Sequence, residues 1–350
     1  MINVLVTAVG GLGVGQQIVK SLRLETGLSF KIVATDIQSC EQNNEYIDKF
    51  VAVPPANSDN YLSEILSIIA LQNIQIIFCG SEPELWRLSE NKNKIEAAGA
   101  KIIIADPSLL NLTLQKFNLS AWLESNEFPY LKSILLEDFE NIPEINFFPI
   151  IVKPNSGSSG SKDVYIAQSL NELNALLTYL DTKMQSKNIV LQEYIGSLSQ
   201  EYTVGMLYSD TGEYINSIAM KRDLTGPLNL RVKEKNKDVA NGFGEYLGVS
   251  TGISMGHLGK YPEITTFCKK VCDSLKVSGP INLQCRFHAG EVYIFEINPR
   301  HSGTTFARAL AGLNEPVTLI KRHVLDQTVL KDFTFTHGYF LRSIQEEFRP

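Results

Sequence analysis

The sequence predicts a protein of mixed α/β and α+β class, in which a Rossmann-like parallel sheet domain precedes modules built on antiparallel strands. Three observations predict this class. The first part of the chain, about 110 residues, alternates strand-like and helix-like segments, the pattern of βαβ units. Later segments are short strands joined by turns. The length of 350 residues exceeds one ordinary domain and allows a sizeable core.

Composition and charge exclude several classes of protein. Hydrophobic residues make up 44% of the chain and charged residues 20%, which is typical of a globular protein. The net charge of −6 provides no basic footprint for nucleic acid. No apolar run approaches the ~18 residues of a membrane span, and the apolar N-terminus lacks the basic residues of a signal peptide. Five scattered cysteines favour reduced thiols and a cytoplasmic location.

In the N-terminal part, apolar runs rich in β-branched residues alternate with segments of helical periodicity. The predicted strands are residues 3–8, 31–36, 74–79 and 101–104, and the predicted helices are residues 15–23, 61–71 and 83–98. Because strands connected by helices pair in parallel, we expect one parallel sheet covered by helices.

Residues 7–15 (TAVGGLGVG) form a glycine-rich turn like that of a dinucleotide-binding domain. The G-x-G-x-x-G spacing fails, because Gln16 stands where the third glycine belongs. Asp36, near the end of the second strand, is the residue that would hold a ribose hydroxyl. We favour a structural strand-to-helix turn, with an NAD-dependent oxidoreductase as an alternative.

Residues 80–84 (GSEPE) follow the strand at 74–79, at the edge of the sheet where open α/β folds bind ligands. Their two acids, Glu82 and Glu84, have two interpretations. They could meet an amine of a substrate, or they could be helix N-terminal charges that satisfy the helix dipole. The sequence leaves both open.

Residues 112–130 are predicted to be helical. A second module follows, with strands at 149–153, 163–167 and 188–194 and a helix at 170–180. Lys153 ends the first of these strands, ready to neutralise a phosphate. The loop that follows contains small residues whose amides can form an anion nest, namely Gly157, Ser158, Ser159 and Gly160. An ordinary flexible hairpin is the alternative.

The segment VLQEYI ends an apolar strand with Gln192, Glu193, Tyr194 and Ile195. Backbone groups at a strand end can read the edge of an adenine. Glu201, a few residues later, has a carboxylate that can take both ribose hydroxyls. An amphipathic edge strand is the alternative.

The last module begins at residue 201 and consists of antiparallel strands, with a predicted hairpin of residues 203–208 and 214–219. Lys221 and Arg222 at its end contact phosphate or an acceptor carboxylate in one interpretation and are solvated in the other. The glycine-rich, charged residues 223–260 are predicted to be a mobile loop with a short helix, where specificity would lie.

A late strand, residues 292–297, carries polar groups that suit a metal–polyphosphate site. Side chains alternate along a strand, so Glu296 and Asn298 point the same way, and Arg300 follows in the turn. Two hard oxygen ligands beside a guanidinium suit Mg²⁺ with a polyphosphate. The alternative is an edge strand whose polar face meets water.

The preceding strand, residues 280–287, is predicted to pair with residues 292–297 through a three-residue turn at 288–290. This register places Asn282 opposite Glu296 and Gln284 opposite Ile294, so that Gln284 shares a surface with Glu296. A two-residue turn would send Gln284 to the opposite face.

Taken in order, these residues resemble the ATP-grasp superfamily, most closely its carbamoyl-phosphate-synthase-large-subunit-like branch, over nearly the whole chain. The matching series is Lys116, Lys153 with its glycine loop, Gln192–Ile195, Glu201, Gln284, Glu296, Asn298 and Arg300. The chain has Gln115 where relatives often have aspartate, and residues 301–305 (HSGTT) depart from the serine- and arginine-containing continuation. A single unit is not compatible with the complete carbamoyl phosphate synthase reaction.

The resemblance implies three domains: residues 1–112 as the Rossmann-like domain, 113–190 as the lid subdomain and 191–350 as the larger subdomain. It implies ATP and Mg²⁺ (or Mn²⁺) as cofactors, with roles carried over by position. Lys116 and Lys153 match the phosphate-binding lysines, and the backbone at Gln192–Ile195 matches the adenine hinge. Glu201 matches the acid that binds the ribose, and Arg300 matches the catalytic residue that contacts the transferred phosphate. The metal ligands correspond to Gln284, Glu296 and Asn298.

The expected activity is ATP-dependent ligation of a carboxylate to an amine through an acyl phosphate, with release of ADP and phosphate. Amino acids or similar small metabolites are the expected substrates, and a homodimer is an open expectation. One alternative is a nucleotide-binding sensor or partner module without catalysis, and the other is the oxidoreductase. For His301 we favour a structural role over acid–base chemistry.

Overall fold

The computed structural model describes residues 1–11, 13–38, 45–137, 139, 144–157, 160–183 and 188–343. Two residues of the predicted phosphate loop, Ser158 and Ser159, lie outside the described residues. The described cysteines (Cys79, Cys268, Cys272 and Cys285) are all buried free thiols.

The N-terminal parallel sheet predicted from the βαβ alternation is confirmed, with strand order β3-β2-β1-β4-β5 and every pair parallel. Its strands are β1 (Ile2–Val6), β2 (Phe30–Asp36), β3 (Lys49–Ala52), β4 (Ile76–Phe78) and β5 (Lys101–Ile102). Its helices are α1 (Val14–Leu24), α2 (Tyr61–Gln72), α3 (Glu82–Glu90) and α4 (Lys92–Ala97). The strand β3 was not predicted, because it is a four-residue edge strand with no buried residue and its apolar run is short.

The single helix predicted at residues 83–98 is wrong, since α3 and α4 meet at Asn91. The side chain of Asn91 donates to the carbonyl of Arg87 at 2.9 Å, which is the acceptor that its own amide would use in a continuous helix. The amide of Asn91 bonds to Leu88 instead, at 3.2 Å. A local side-chain bond therefore interrupts the helix.

The middle of the chain contains a four-stranded antiparallel sheet of order β6-β9-β7-β8. Its strands are β6 (Ser133–Leu135), β7 (Ile150–Pro154), β8 (Tyr165–Ala167) and β9 (Ile189–Glu193), and the helices of this region are α5 (Pro107–Leu114), α6 (Lys116–Ser125) and α7 (Leu170–Asp181). The helix α7 begins at Ser169, whose side chain accepts from the amide of Glu172, and buries Leu173, Leu177 and Leu180.

The remaining strands form a six-stranded antiparallel sheet of order β16-β15-β10-β11-β14-β17 and a two-stranded sheet of β12 and β13. They are β10 (Glu201–Tyr208), β11 (Tyr214–Arg222), β12 (Leu230–Lys235), β13 (Tyr246–Ser250), β14 (Gly256–Gly259), β15 (Pro280–His288), β16 (Glu291–Asn298) and β17 (Gly338–Phe340). The helices are α8 (Pro262–Leu275), α9 (Thr305–Ala311) and α10 (Glu315–His323).

The predicted hairpin of β10 and β11 is confirmed by their antiparallel pairing. The loop and short helix predicted for residues 223–260 are wrong, because this segment contains β12, β13 and β14, with a 3-10 turn at Val239–Asn241. In β12 the residues alternate between intermediate and exposed, and the exposed positions are charged. Its charge content concealed the period of two by which strands are recognised.

The turn between β15 and β16 has two residues, Ala289 and Gly290, instead of the predicted three. Both have positive φ, +49° and +87°, as a type I′ turn requires. A regular ladder from this turn would place Gln284 opposite Phe295 and away from Glu296. A β-bulge at Phe295 adds one unpaired residue to β16 and so returns Gln284 to the face that carries Glu296. Gln284 therefore lies opposite Glu296, and Asn282 lies opposite Asn298.

The predicted register is therefore wrong in loop length and in residue pairing, while Gln284 does share a surface with Glu296. The predicted domain boundaries stay a prediction. The limit at residue 112 falls within α5 and the limit at residue 190 within β9.

Candidate active site

A single cavity of about 1120 Å³ brings the candidate residues together. Its volume slightly exceeds the range of about 300–1,000 Å³ found for small-molecule sites, and so has room for a nucleotide and a further small molecule. All the predicted site residues within the described ranges line it, namely Lys116, Lys153, Gly157, Gly160, Gln192, Glu193, Tyr194, Ile195, Glu201, Gln284, Glu296, Asn298 and Arg300. Their individual roles remain predictions.

Glu296 is held between two carboxamides on the paired strands β15 and β16. The Nε2 atom of Gln284 donates to Glu296 Oε2 at 3.0 Å, and the Nδ2 atom of Asn298 donates to Glu296 Oε1 at 2.9 Å. Arg300 completes the group, because its Nη2 atom donates to Asn298 Oδ1 at 3.0 Å. Register, bulge and turn thus place one carboxylate, two carboxamides and one guanidinium on one surface.

This donor set fits Mg²⁺. A carboxylate and two carboxamides are hard oxygen ligands of the kind that Mg²⁺ takes alongside phosphate oxygens and water. Rotation of either carboxamide by half a turn exchanges its nitrogen for its oxygen at the same position. Within the described ranges, no three His, Cys, Asp or Glu side chains converge in a way that could hold a metal ion. Binding here would therefore depend on the carboxamides and on the phosphates of the nucleotide.

Lys153 lies buried at the end of β7, with its ammonium toward this group. Its Nζ atom donates to Gln192 Oε1 at 2.7 Å and approaches the carbonyl of Phe295, the bulged residue, at 3.5 Å. Burial, reinforced by the nearby charge of Lys116, lowers the pKa of Lys153 to about 7 against the opposing pull of Glu296. An anion such as a phosphate would supply the counter-charge that this ammonium needs.

Lys116 is the first residue of α6, and Asn155 fixes its position. The carbonyl of Asn155 accepts from the Lys116 amide at 3.0 Å, and its Oδ1 atom accepts from the Phe117 amide at 2.9 Å. Asn155 in turn donates to Gln115 Oε1 at 2.7 Å. The glutamine that replaces the aspartate of relatives therefore helps to attach the start of α6 to the end of β7.

The described residues on either side of Ser158 and Ser159 line the cavity. Gly157 and Gly160 have φ of +72° and +63°, a region that a residue with a Cβ atom rarely adopts. The Oγ atom of Ser161 donates to the carbonyl of Ser250 at 2.6 Å, so Ser161 is attached to the end of β13, where Ser250 also lines the cavity.

The predicted adenine hinge follows β9. Tyr194 is buried, and its hydroxyl accepts from the amide of Gly248 at 3.0 Å. The guanidinium of Arg286 lies 4.6 Å from the centre of the Tyr194 ring and donates to the carbonyl of Ile195 at 3.0 Å. Arg286 thus holds the strand end in place from the neighbouring sheet.

Glu201 forms a buried ion-pair cluster with two arginines. Its Oε1 atom accepts from Arg222 Nη1 at 2.8 Å and its Oε2 atom accepts from Arg286 Nη2 at 3.0 Å. Burial opposes ionisation of Glu201, but the two arginines outweigh it, so that the pKa of this carboxyl is lowered. Both oxygens accept from arginines, and Glu201 also lines the cavity, so its role as ribose ligand stays a prediction.

The sequence did not reveal this cluster, because its members are distant in the chain. Arg222 ends a strand of the hairpin, and Arg286 lies in β15. Neither is expected to be buried, because arginine side chains are mostly exposed. The interpretation of Arg222 as a phosphate contact or a solvated strand end is not what the structure shows. Arg222 is instead a structural partner of Glu201 and of the carbonyls of Thr251 and Ile253.

A second buried cluster supports the turn that carries Arg300. The Nδ1 atom of His301 donates to the Glu315 carboxylate at 3.0 Å, and the ring lies edge-on to Phe78. Arg308 donates to Glu315 Oε1 at 2.9 Å and also to the side chain of Asn282. Because His301 is buried and is absent from the cavity wall, the structure supports the structural interpretation of this residue.

The substitution Arg308→Met should lower the free energy of unfolding by about 3–5 kcal/mol, since it leaves Glu315 charged and buried without its guanidinium partner. Urea unfolding followed by circular dichroism measures the change. Lys269→Met is the control, because Lys269 and Asp273 form an ion pair with side chains 39% and 46% exposed. Its removal should change the stability by less than about 1 kcal/mol. Similar losses in both variants would contradict the prediction.

The two acids of residues 80–84 have different surroundings. The carboxylate of Glu84 is buried and accepts from the hydroxyls of Thr7, Tyr61 and Ser81 at 2.8, 2.9 and 2.7 Å. Glu82 lines the cavity instead. Burial raises the pKa of Glu82, and the charges of Arg300 and Lys116 only partly offset this. Of the two interpretations, Glu84 takes the structural one.

Gly13 of the N-terminal glycine turn lines the cavity, and the structural role favoured from the sequence stays a prediction. The carboxylate of Asp36 accepts from the amide of Gly10 at 2.8 Å and so closes the turn. Gly80 packs against the end of β1, where a Cβ atom would come within 2.0 Å of the carbonyl oxygen of Thr7. This contact holds the segment after β4 at the cavity wall.

Several enzymes with solved structures share this fold, and sequence identity to them is low. An L-amino acid ligase from Bacillus licheniformis superposes with a TM-score of 0.60 at 14% identity, over 92% of this chain and 74% of the other. The N5-carboxyaminoimidazole ribonucleotide synthetase of Thermotoga maritima gives 0.59 at 16% identity, over 96% and 79%. Biotin carboxylase from Campylobacter jejuni gives 0.60 at 14% identity, over 91% and 70%.

The chain therefore shares the fold of these enzymes. Two family models match parts of its sequence. Residues 249–346 match the model of ATP-grasp proteins in the biosynthetic pathway with Ter operon. Residues 4–103 match the PylC-like N-terminal domain.

None of the helices in the described part of the chain combines the length and the apolar character needed to cross a bilayer.

Proposed function

We propose that this protein uses ATP to activate a carboxylate and joins it to an amine, with amino acids or similar small metabolites as substrates. The observation that carries the proposal is the convergence of Lys153, Glu296 and Arg300 on one cavity, together with two carboxamides. The fold it shares with an L-amino acid ligase supports the choice of substrate class.

In the proposed reaction, a carboxylate oxygen attacks the γ-phosphorus of ATP and ADP leaves. The resulting acyl phosphate is attacked at its carbonyl carbon by the amine, and the bond between that carbon and the phosphate oxygen breaks. The protein supplies mainly position and charge for both steps. This fits a cavity whose walls carry ammonium and guanidinium groups but no arrangement of nucleophile and base among the described residues.

Each side chain has an assigned task in this proposal. Lys153 and Lys116 bind the phosphates, and the backbone of residues 192–195 receives the adenine. Gln284, Glu296 and Asn298 would hold Mg²⁺, which neutralises phosphate charge when it is bound. Arg300 stabilises the charge on the transferred group. The glycine loop at residues 157–160 excludes water that would otherwise hydrolyse the acyl phosphate.

The test is an incubation of the purified protein with ATP, Mg²⁺ and a panel of carboxylates and amines, with amino-acid mixtures first. We expect phosphate release that depends on the carboxylate, a product with the mass of the condensed pair, and a hydroxamate when hydroxylamine replaces the amine. The hydroxamate reports the acyl phosphate directly. Nucleotide binding without phosphate release for any pair would favour the sensor alternative. Binding of NAD, followed by fluorescence, would favour the oxidoreductase.

A further inference from the structure

We propose that Glu82 binds the positively charged amine substrate, so that the amine partner is an organic ammonium compound such as the amino group of an amino acid. The inference rests on the proposed function and adds the residue that selects the amine. It assigns a ligand to the one acid of the N-terminal wall whose role the structure leaves open.

Glu82 lies in the cavity wall because of its position in the fold. Glu82 is the first residue of α3. It follows Gly80 and Ser81 directly, and Gly80 packs against the end of β1. Gly80, Ser81 and Glu82 all line the cavity. The wall that the N-terminal sheet contributes therefore presents a carboxylate from a rigid element.

The charges around Glu82 are those of the phosphate end of the site. Arg300, Lys116 and Glu296 are the charged groups that act on its carboxylate. These are the residues assigned to the transferred phosphate, to the nucleotide phosphates and to the metal. An acyl phosphate formed beside Arg300 would thus lie near Glu82, which is where the attacking amine must be placed. The bound ammonium gives one proton to the Glu82 carboxylate, and its neutral nitrogen then attacks the acyl carbon. The bond from that carbon to the phosphate oxygen breaks, and phosphate leaves with the second proton of the nitrogen.

A merely structural role fits Glu82 poorly. Glu84, two residues later, accepts three hydroxyl hydrogen bonds. Within the described ranges the Glu82 carboxylate forms no hydrogen bond and no ion pair, and the Ser81 side chain makes no capping bond. Arg300 donates instead to the carbonyl of His301 and to Asn298.

The chemistry of an ammonium group fits this environment. Glu82 is partly buried, so its negative charge is poorly solvated and lacks a hydrogen-bond donor. A protonated primary amine supplies up to three N–H donors and one positive charge at the same point. A neutral nucleophile such as hydroxylamine gains much less from the carboxylate. Selection of a cationic amine over a neutral one is therefore the property that Glu82 should confer.

The test compares Glu82→Gln with the parent protein, using an L-amino-acid mixture as the amine source and hydroxylamine as the uncharged probe. We expect kcat/KM for the amino-acid amine to fall by about 10- to 100-fold, as for loss of one charge-assisted hydrogen bond. Hydroxamate formation and the KM for ATP should stay at the parental level. Glu82→Asp should recover part of the lost amide formation, because it keeps the charge.

Glu90→Gln is the matched control, since Glu90 is an exposed acid at the other end of the same helix. It should leave both products at parental levels, and the thermal midpoint of each variant shows that it is folded. An equal loss of amide and hydroxamate in Glu82→Gln would overturn the inference, because Glu82 would then act on ATP, the metal or the carboxylate. No loss of either product would also overturn it. Absence of hydroxamate from the parent protein would instead refute the proposed function, on which the inference depends.

Discussion

Arg300→Ala should lower kcat by about 100-fold or more while the KM for ATP changes little. The guanidinium is held in place by donation to the carbonyl of His301 at 2.8 Å and to Asn298 Oδ1 at 3.0 Å. Burial lowers its pKa, but the carboxylates of Glu296 and Glu82 oppose this. A positive charge held in this way, with little water around it, stabilises charge that develops in the transition state, and the loss of one such contact costs roughly two orders of magnitude.

The measurement is steady-state phosphate release with the substrate pair found in the panel. Arg300→Lys is the informative second variant, because an ammonium retains the charge but not the planar fork of the guanidinium. It should fall between the parent and Arg300→Ala. Arg23→Ala is the control, since Arg23 pairs with Asp48 at the surface of the N-terminal sheet and away from the cavity. An Arg300→Ala enzyme as fast as the parent would remove Arg300 from the reaction.

Lys153→Met should abolish most of the activity and, at neutral pH, stabilise the protein without nucleotide. The activity falls because the ammonium assigned to the phosphates is lost, again by about 100-fold or more. The stability rises because methionine fills a similar volume and removes an amine whose pKa burial lowers from 10.5 to about 7. A buried amine with a lowered pKa reduces the free energy of unfolding at every pH below 10.5, its ordinary pKa.

The sign of the pH dependence follows from proton binding. Between the folded pKa of about 7 and the ordinary value of 10.5, the unfolded chain binds a proton that the folded protein has released. Stability of the parent therefore rises with pH through this window and falls as pH drops towards 7. The advantage of Lys153→Met should be largest near pH 7, on the order of 1 to 4 kcal/mol, and should vanish towards pH 10.

Urea unfolding at several pH values in this window measures the difference between variant and parent. Lys162→Met is the matched control, because Lys162 is an exposed lysine in the same loop region. It should show no pH-dependent gain in stability. If the advantage of Lys153→Met did not change with pH, Lys153 would not be the group that titrates near neutrality. A parental rate of phosphate release in this variant would contradict its role in phosphate binding.

Much of the fold could be predicted because its signals are local. The apolar runs of β1, β2 and β4 and the periodic helices between them predicted the parallel sheet, which the structure confirms. The hairpin of β10 and β11 was predicted for the same reason. Short or highly charged strands were missed, as β3 and β12 show. The helix predicted at residues 83–98 is interrupted at Asn91 by a side-chain hydrogen bond that helix propensities do not indicate.

The strand β16 shows how much of the candidate site the period of two can predict. The period of two correctly placed Glu296 and Asn298 together, because it is a property of one strand. The pairing with Gln284 depended on the turn and on the bulge at Phe295, and two departures from the expected ladder compensated each other. Agreement on the shared surface was therefore reached through a geometry that the sequence did not predict.

The sequence by itself determined the parallel N-terminal sheet and the set of polar side chains available to a nucleotide and a cation. Only the tertiary structure decided which of these side chains remain available. It engaged Glu201 with Arg222 and Arg286, which lie 21 and 85 residues away in the chain, and it enclosed Glu84 while leaving Glu82 at the cavity. The physical reason is that ion pairing and burial depend on distances between strands of different sheets, which local residue patterns do not encode.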